Sequence, residues 1–564
     1  MPIIRRLAGS RHIRRLGYFA GFVAAGWLAD EHLNYSTFGR NLRTLFVGAL
    51  VTLDYKLNFV PGKAESIGNL HQRVANRVLE VCQENGGLYI KFGQQIAGAG
   101  HILPPQYFHT FRQLYDNAPT IPYKVVKKIF AQEFDGKSPQ ELFLEFDVNP
   151  VASASIAQVH KAKLKDGTLV AVKVQKPEIR HQIGWDLFTH RLVITAFEFF
   201  FDLPLVWTAD YIKSHLLQET DFLNEGRNAE KAAKYVNQVP SLARHVYIPK
   251  VFWEYSTPRI LVCEWIDGFK FDDVESIENA GLSVRKIMTT TVEVFADQIF
   301  REGFVHCDPH PGNLIVRKHP QLPNTHQIVL LDHGLYVQAS EAFRHNYAVF
   351  WKSLFTGDID TVTEIATSWG IHDAQMFASA TLQRPWKPGQ MLHVEQKTSV
   401  NNLFQSQLEA KKRVKHFLSN TEKVPKELIF VGRNLNIIRS NNKALGSPVN
   451  RISIMANWAV KSLGNNWSVW TSNSTLKPGD SPRGALARSL QLPGVVQARI
   501  NYWRFQSMLF FMSLGFFAAR VVQNISWWVF GIRSSGFEDL IDSQFKSAMK
   551  DQFGIELDPA VFDA

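Results

Sequence analysis

Cysteine is almost missing from this chain. Its three copies in 564 residues, Cys82, Cys263 and Cys307, lie far apart and form no Cys-x-x-Cys pair. A disulfide framework and a structural zinc site are thereby excluded. No internal repeat recurs at a fixed period, which sets aside solenoids and propellers. Zinc-finger spacing and the aromatic signature of RNA-binding sheets are also absent, so the net charge of +11 does not argue for nucleic acid. That charge suits an anionic membrane, a nucleotide or a mitochondrial address. Acidic residues are missing altogether from positions 1–29. What is present is 45% hydrophobic and 20% charged, a globular composition, in a chain long enough for roughly two to four structural units.

The acid-free start carries Arg5, Arg6, Arg11, Arg14 and Arg15, followed by the charge-free run Leu16–Ala29. An Arg-rich, acid-free start has the chemistry of a mitochondrial presequence. The apolar run is shorter than the about 20 residues of a membrane span, so presequence, weak span, amphipathic anchor and basic surface helix all stay open. A second apolar run, Ser507–Ala519, continues past Arg520 to Trp527 and Trp528, a pair suited to a membrane interface. A packed C-terminal helix pair accounts for it equally. Between these ends, Val74, Val78, Val81 and Cys82 recur at helical spacing, with a break at Gly86-Gly87 and a stop at Pro104-Pro105. Two β-rich runs flank Asp166-Gly167, a hairpin signal. Residues 183–238 are expected to be helical, 259–268 and 327–334 to hold strands, and the chain beyond about 340 to be mostly helical. A polar Ser/Pro/Gly linker is expected at 472–484.

The chemistry concentrates in two neighbouring stretches, GFVHCDPHPGNLIV (303–316) and LLDHGLY (330–336). His306, Asp308 and Asn313 have the spacing of a kinase catalytic loop. In such a loop the Asp receives or orients a hydroxyl proton and the Asn holds a magnesium ion. Asp332, at the end of an apolar run and followed by x-Gly, matches the second metal-binding residue. Upstream, VAVKVQKP (170–177) matches the strand that carries a phosphate-pairing lysine, here Lys173. The loop before it lacks the expected glycines and reads VASASIAQVHKA (151–162). Alanine does not reach positive φ cheaply, so this loop must be tighter than a glycine loop. Glu219, Asp221 and Glu225 offer acidic partners. At 3.6 residues per turn, Glu219 and Glu225 fall on different faces of one helix and can serve different cations, with Lys91 the second cation.

Together the motifs KFGQ (91–94), ASASIAQVH, ETD (219–221), HCDPHPGN and DHG resemble those of the UbiB family of aarF-domain-containing atypical kinases, over about residues 65–440. The DHG form is similar to that of a mitochondrial branch of that family. The resemblance implies an α+β, two-lobed protein-kinase-like fold with an N-terminal helical extension and a helical C-terminal region. Its expected parts are a targeting and membrane segment at 1–60, a helical extension at 61–135, the kinase-like domain at 136–440 and a helical region at 441–564. It implies ATP or ADP with Mg2+ as cofactors. Asp308, Lys173 and Glu225 would be catalytic, and Asn313 and Asp332 would bind metal. The nucleotide would be held by Ala152, Ser153, Ala154, Ser155, Ile156, Ala157, Lys173 and Glu264. Lys91, Gln94, Glu219 and Asp221 would form a regulatory lid, with Lys91 paired to Glu219 and Lys173 to Glu225. A small-molecule or lipid substrate, the inner mitochondrial membrane and coenzyme Q or lipid homeostasis complete what it implies. Four positions depart from the pattern: Ser153 and Ala157 in the loop, Cys307 in place of an arginine, and His333 in place of a phenylalanine. For His333 a flat packed ring is the expectation over a titrating switch, and for Cys307 an inert buried thiol. No Ala-Pro-Glu follows DHG, which argues against an ordinary protein kinase; a nucleotide-sensing pseudokinase is the alternative.

Overall fold

The computed structural model describes residues 34–386, 424–464 and 492–530, apart from 61–62, 64–65, 99–103, 116–119, 372, 383 and 385, together with Tyr18, 25–31 and Trp470. The 472–484 linker and nearly all of the 1–29 segment lie outside the described residues. The class is the expected one, α+β with helical regions at both ends. The chain divides into two compact units, Met1–Gly167 with Val172–Thr220, and Thr168–Ala171 with Asp221–Ala564. That division runs through the expected 136–440 domain.

The first unit opens with α1 (Thr37–Asn58), α2 (Ile67–Asn85), α3 (Leu88–Gly98), α4 (Pro105–Phe111) and α5 (Tyr123–Glu133). The break between α2 and α3 falls where the glycine pair was read. Gly86 and Gly87 have φ of 63° and 53°, which glycine adopts without a steric penalty. Cys82, Leu88, Phe92, Phe111 and Leu114 form one apolar core, and α3 presses into it at Gly93. A Cβ at Gly93 would collide with Leu114 Cδ1 and meet Phe111 Cδ1 at 3.1 Å and Cys82 Sγ at 3.3 Å. The glycine of KFGQ is thus a packing requirement, which fixes the helix that carries Lys91.

Strands follow. β1 (Glu145–Phe146) and β2 (Ala152–Ser153) both pair antiparallel with β3 (Ala157–Lys163). β3 turns through Gly167, φ 91°, into β4 (Leu169–Gln175), the hairpin read from Asp166-Gly167. α6 (Pro177–Phe201) starts on a proline, whose missing N–H costs nothing in a first turn. α7 (Val206–Glu219) ends the unit. Arg40 of α1 and Asp186 of α6, both buried, pair at 2.7 Å and tie these helices together.

The second unit contains α8 (Phe222–Asn237), β5 (Val246–Tyr247), β6 (Ile260–Glu264), β7 (Phe269–Lys270), α9 (Val284–Asp297), β8 (Phe304–His306), β9 (Leu314–Lys318), β10 (His326–Leu330) and β11 (Tyr336–Gln338). Helices α10 (Glu341–Thr356), α11 (Lys426–Ala444), α12 (Arg451–Ser462) and α13 (Leu492–Phe530) follow. A four-stranded sheet has the order β5-β10-β9-β7, with β10 parallel to β5 and antiparallel to β9. All five residues of β10 are buried, and its two polar members are satisfied there, His326 against Thr290 and Gln327 by Arg317. β8 and β11 form a separate antiparallel pair. Within α13, Val496–Ser526 is long and apolar enough to cross a membrane. One stripe of it, including Ala498, Phe505, Leu509 and Phe516, is buried, whereas Trp503, Phe510, Phe511, Phe517 and Trp528 are exposed.

A methyl group at position 93 must displace Leu114 and Phe111. Gly93→Ala is expected to destabilise the protein by about 1–3 kcal/mol, read as a lower denaturation midpoint in chemical unfolding. An unchanged midpoint would show that α3 is not held by this contact.

Candidate active site

The residues of the catalytic-loop motif meet around one imidazole. Phe304–His306 is a short strand, and the chain turns sharply after it through Asp308-Pro309-His310 into the tight turn Pro311–Asn313. The backbone N–H of Asp308 donates to His306 Nδ1 at 2.9 Å. That contact makes Nδ1 an acceptor, so the ring proton is on Nε2, which donates to the carbonyl of Asp332 at 2.8 Å. Burial holds the His306 pKa below its ordinary value, and the ring stays neutral despite the nearby charge of Asp332. One side chain thereby fixes the backbone of both acidic residues. Asn313 joins them. Its side-chain amide donates to the Asp308 carbonyl at 3.0 Å, and its own carbonyl accepts from Leu331 N–H at 3.0 Å. The β9–β10 register, Leu314 opposite Leu330, sets this adjacency. Asp332 Oδ1 accepts from Gly334 N–H at 2.9 Å.

His333 is the packed ring expected. It is buried, its Nδ1 lies 3.0 Å from Tyr336 Oη and its Nε2 3.1 Å from the Leu330 carbonyl. It stacks on Tyr336 with ring planes 10° apart. Burial raises the Tyr336 pKa well above the ordinary range, so the phenol keeps its proton for His333. Asn228 of α8 donates to the His333 carbonyl at 3.0 Å. Cys307 is buried with Sγ 3.4 Å from the Val305 carbonyl.

Three residues of α11 reach this loop, and none was anticipated from the sequence. Arg433 Nη2 lies 2.9 Å from Asp308 Oδ1. Asn434, fully buried, donates to the His306 carbonyl at 2.6 Å, and Asn441, also buried, to the Pro309 carbonyl at 2.9 Å. The signal available was an amphipathic helix with three amides and an arginine on its buried side; nothing local ties those residues to a loop more than a hundred positions earlier. Where a kinase loop has arginine before its Asp, this chain has Cys307, and a guanidinium arrives from α11 instead.

In the first unit, Lys91 Nζ and Glu219 Oε2 are 3.0 Å apart, half-shielded from solvent. Gln94 points elsewhere, donating to the Leu114 carbonyl at 3.0 Å, so it braces the turn after α4. The alanine-rich loop closes on itself, with Ala154 N–H bonded to the Ala157 carbonyl at 2.8 Å. No residue from 152 to 157 has positive φ, as the scarcity of glycine required. Lys176, a second residue not anticipated, clamps the loop: its Nζ donates to the Ala154 carbonyl at 2.6 Å and its N–H to the Ile156 carbonyl at 2.9 Å. Lys176 is buried, which lowers its pKa. Lys173 is on β4, half-buried.

One expectation is corrected. Glu219 and Glu225 do not share a helix. Glu219 is the last residue of α7, and Glu225 lies in the first turn of α8. Asp221 starts the second helix by accepting from the N–H groups of Leu223 and Asn224 at 3.1 and 3.4 Å, an N-cap. The two carboxylates are separated by a helix break rather than by helical phase. Glu225 is buried. Glu264 ends β6 and accepts from Tyr247 Oη at 2.5 Å.

The donor set fits Mg2+. Asn313 and Asp332 supply an amide and one carboxylate on adjacent strand ends, and no group of three His, Cys, Asp or Glu ligands occurs among the described residues. Mg2+ takes few protein ligands and completes its shell with phosphate and water, whereas a zinc or all-protein calcium site would need more.

A family model described as the ABC1 atypical kinase-like domain matches residues 113–366. An ABC1 family protein of Schizosaccharomyces pombe is 39% identical, over 78% of this chain and 82% of that protein. The chain belongs to the ABC1 atypical kinase-like family. Mouse AarF domain-containing protein kinase 1 is 34% identical over 74% of this chain and 81% of its own length. Among solved structures, a Mycobacterium tuberculosis protein in complex with erythromycin is similar at 22% identity, with a TM-score of 0.41, covering 68% of this chain and 95% of that one. Membership supports a kinase-like enzyme.

Asn434→Ala removes the donor to a buried carbonyl. The expected cost is about 1–3 kcal/mol, measured as a fall in unfolding free energy. The Asn434→Gln variant, whose amide is displaced by one methylene, is expected to recover only part of it. A neutral alanine variant would remove α11 from the loop's support.

Proposed function

We propose that this chain is a magnesium-dependent atypical kinase or ATPase that binds ATP or ADP and acts on a small molecule or lipid at the inner mitochondrial membrane, in coenzyme Q or lipid homeostasis. The observation that carries the phosphotransfer reading is the His306 bridge, which holds Asp308 and Asp332 by their backbones. Mitochondrial placement draws on the acid-free, five-arginine start, and the membrane on the apolar α13 helix.

In this reading Asn313 and Asp332 hold Mg2+, which when bound neutralises charge on the nucleotide phosphates. Asp308 orients the acceptor hydroxyl and receives its proton. Arg433, ion-paired to Asp308, keeps that carboxylate aimed until the acceptor arrives. Lys173 is assigned to the phosphates, with Glu225 as its carboxylate. The loop Ala152–Ala157, held shut by Lys176, and Glu264 are assigned to the nucleotide. Asp221 serves by starting the helix that carries Glu225. A pseudokinase that senses nucleotide is the second reading, and the observation favouring it is that Lys91 and Glu219 are already neutralised by each other.

Asp308→Asn separates the two readings. It is expected to lower nucleotide turnover by about 10²–10⁴-fold while magnesium-dependent thermal stabilisation by nucleotide persists. If the chain's cellular role survives this variant intact, the sensor reading replaces the enzyme.

The two lysines are expected to act in opposite directions. Lys91→Ala frees Glu219 and should raise turnover, whereas Lys173→Ala should abolish it. Steady-state ATP hydrolysis by the purified chain decides this, and equal loss in both variants would make Lys91 part of the machinery rather than a restraint.

A further inference from the structure

The first unit carries an apolar surface that phosphotransfer does not use. On α1 the exposed positions Phe38, Leu42, Phe46, Leu50, Leu53 and Leu57 are large and apolar, from 37% to 66% accessible. Their steps of three and four residues put them in one arc of the helix. The opposite side of α1 is buried through Thr37, Arg40, Asn41 and Val51, so the exposed arc is not a misjudged core face. α6 repeats the pattern with Trp185, Phe188, Leu192, Phe199 and Phe200, the first two 59% and 60% exposed and Phe199 81%. Between the helices runs a groove of about 370 Å³, lined by Leu45, Gly48, Val193, Ala196 and Phe197, with Lys56 at its edge. A contiguous apolar surface of this extent exceeds what a soluble monomer ordinarily leaves in water.

Charge identifies the occupant. Three of the four acidic groups of these two helices are turned to partners inside the unit, and the fourth, Glu178, lies half-buried in the first turn of α6. Asp186 pairs with Arg40, and Asp54 with Arg73 and Arg77, both at 2.6 Å. Glu198 accepts from the N–H groups of Leu205 and Val206, both at 2.7 Å. Two arginines around one Asp54 leave a positive excess, and Arg73 sits 42% exposed. Lys56 is the only charged residue in the exposed arc of α1, its stem laid along Phe201 with Nζ 5.6 Å from the ring centre. An apolar face with embedded tryptophan and phenylalanine and a cationic edge complements an anionic bilayer. A second protein would more commonly meet a mixed polar rim.

We infer that the α1–α6 face docks on the surface of an anionic bilayer, with Phe46, Leu53, Phe188 and Phe199 entering the acyl region, an acyl chain filling the groove and Lys56 meeting the headgroups. This docking is separate from α13 and independent of catalysis. The test uses the full chain in vesicles of phosphatidylcholine with phosphatidylglycerol, containing a phospholipid whose acyl chain ends in a diazirine. After illumination, peptides from 37–58 and 177–201 are expected to carry lipid adducts. Labelling of the α13 peptide serves as the internal standard. Phe46→Glu with Phe188→Glu should remove the α1 and α6 adducts and leave those on α13. Lys56→Ala should weaken labelling of both helices by about fivefold, and vesicles of phosphatidylcholine alone should do so further. Both variants change exposed side chains, and their unfolding midpoints are checked beside the wild type. Wild-type chain with adducts on α13 but none on α1 or α6 would overturn the proposal without need of any variant. So would a labelling pattern unaffected by anionic lipid, or protection of the face by self-association seen as a dimer in detergent. Loss of nucleotide turnover would leave these outcomes unchanged, so failure of the phosphotransfer reading is read separately.

Discussion

The second unit depends on a histidine that must stay neutral. His306 accepts from one acidic residue's backbone and donates to the other's. A protonated ring would have two donors, and Nδ1–H would then face the Asp308 N–H. Burial supplies the condition: the charged form is the one that desolvation disfavours. The sheet register, the Asn313 amide and the α11 asparagines all act on carbonyls and N–H groups within a few residues of that ring. The loop is therefore held by its backbone from several directions.

Much of this was legible in the sequence because it is local. The Gly86-Gly87 break and the Asp166-Gly167 hairpin each follow from what a few adjacent residues permit. The order His306, Asp308, Asn313, Asp332 was legible as well, since a loop and the next strand carry all four. The paired Lys91 and Glu219 were anticipated across 127 intervening positions only because their motifs resemble those of a known family. Arg433, Asn434 and Asn441 were not, for they are ordinary polar residues on a helix whose role comes from where the fold delivers it. The single-helix placement of Glu219 and Glu225 failed for a local reason. Asp221 is a strong N-cap, and the same feature that made ETD look like one motif starts a new helix in the middle of it.

A backbone carbonyl serves here as the anchor for a buried cation. Lys176 closes the alanine-rich loop through the Ala154 carbonyl, at the cost of desolvating its ammonium. The loop is short of the glycines that would let it open by backbone rotation. Rigidity here has two independent sources, residue choice and a buried charge, and neither involves the residues that resemble catalytic ones.

The long helix α13 is committed along one stripe as far as Phe516. From there to Phe530 the helix continues for about 21 Å at about 1.5 Å per residue, short of the about 30 Å of a bilayer's hydrocarbon. While that stripe stays packed, the uncommitted end reaches through little more than one leaflet. A full crossing would require residues before Phe516 to leave their protein contacts, so Phe505 would give up its ring contact with Phe355 of α10. In a bilayer, insertion depth and the packing of α10 would therefore be alternatives drawing on the same residues.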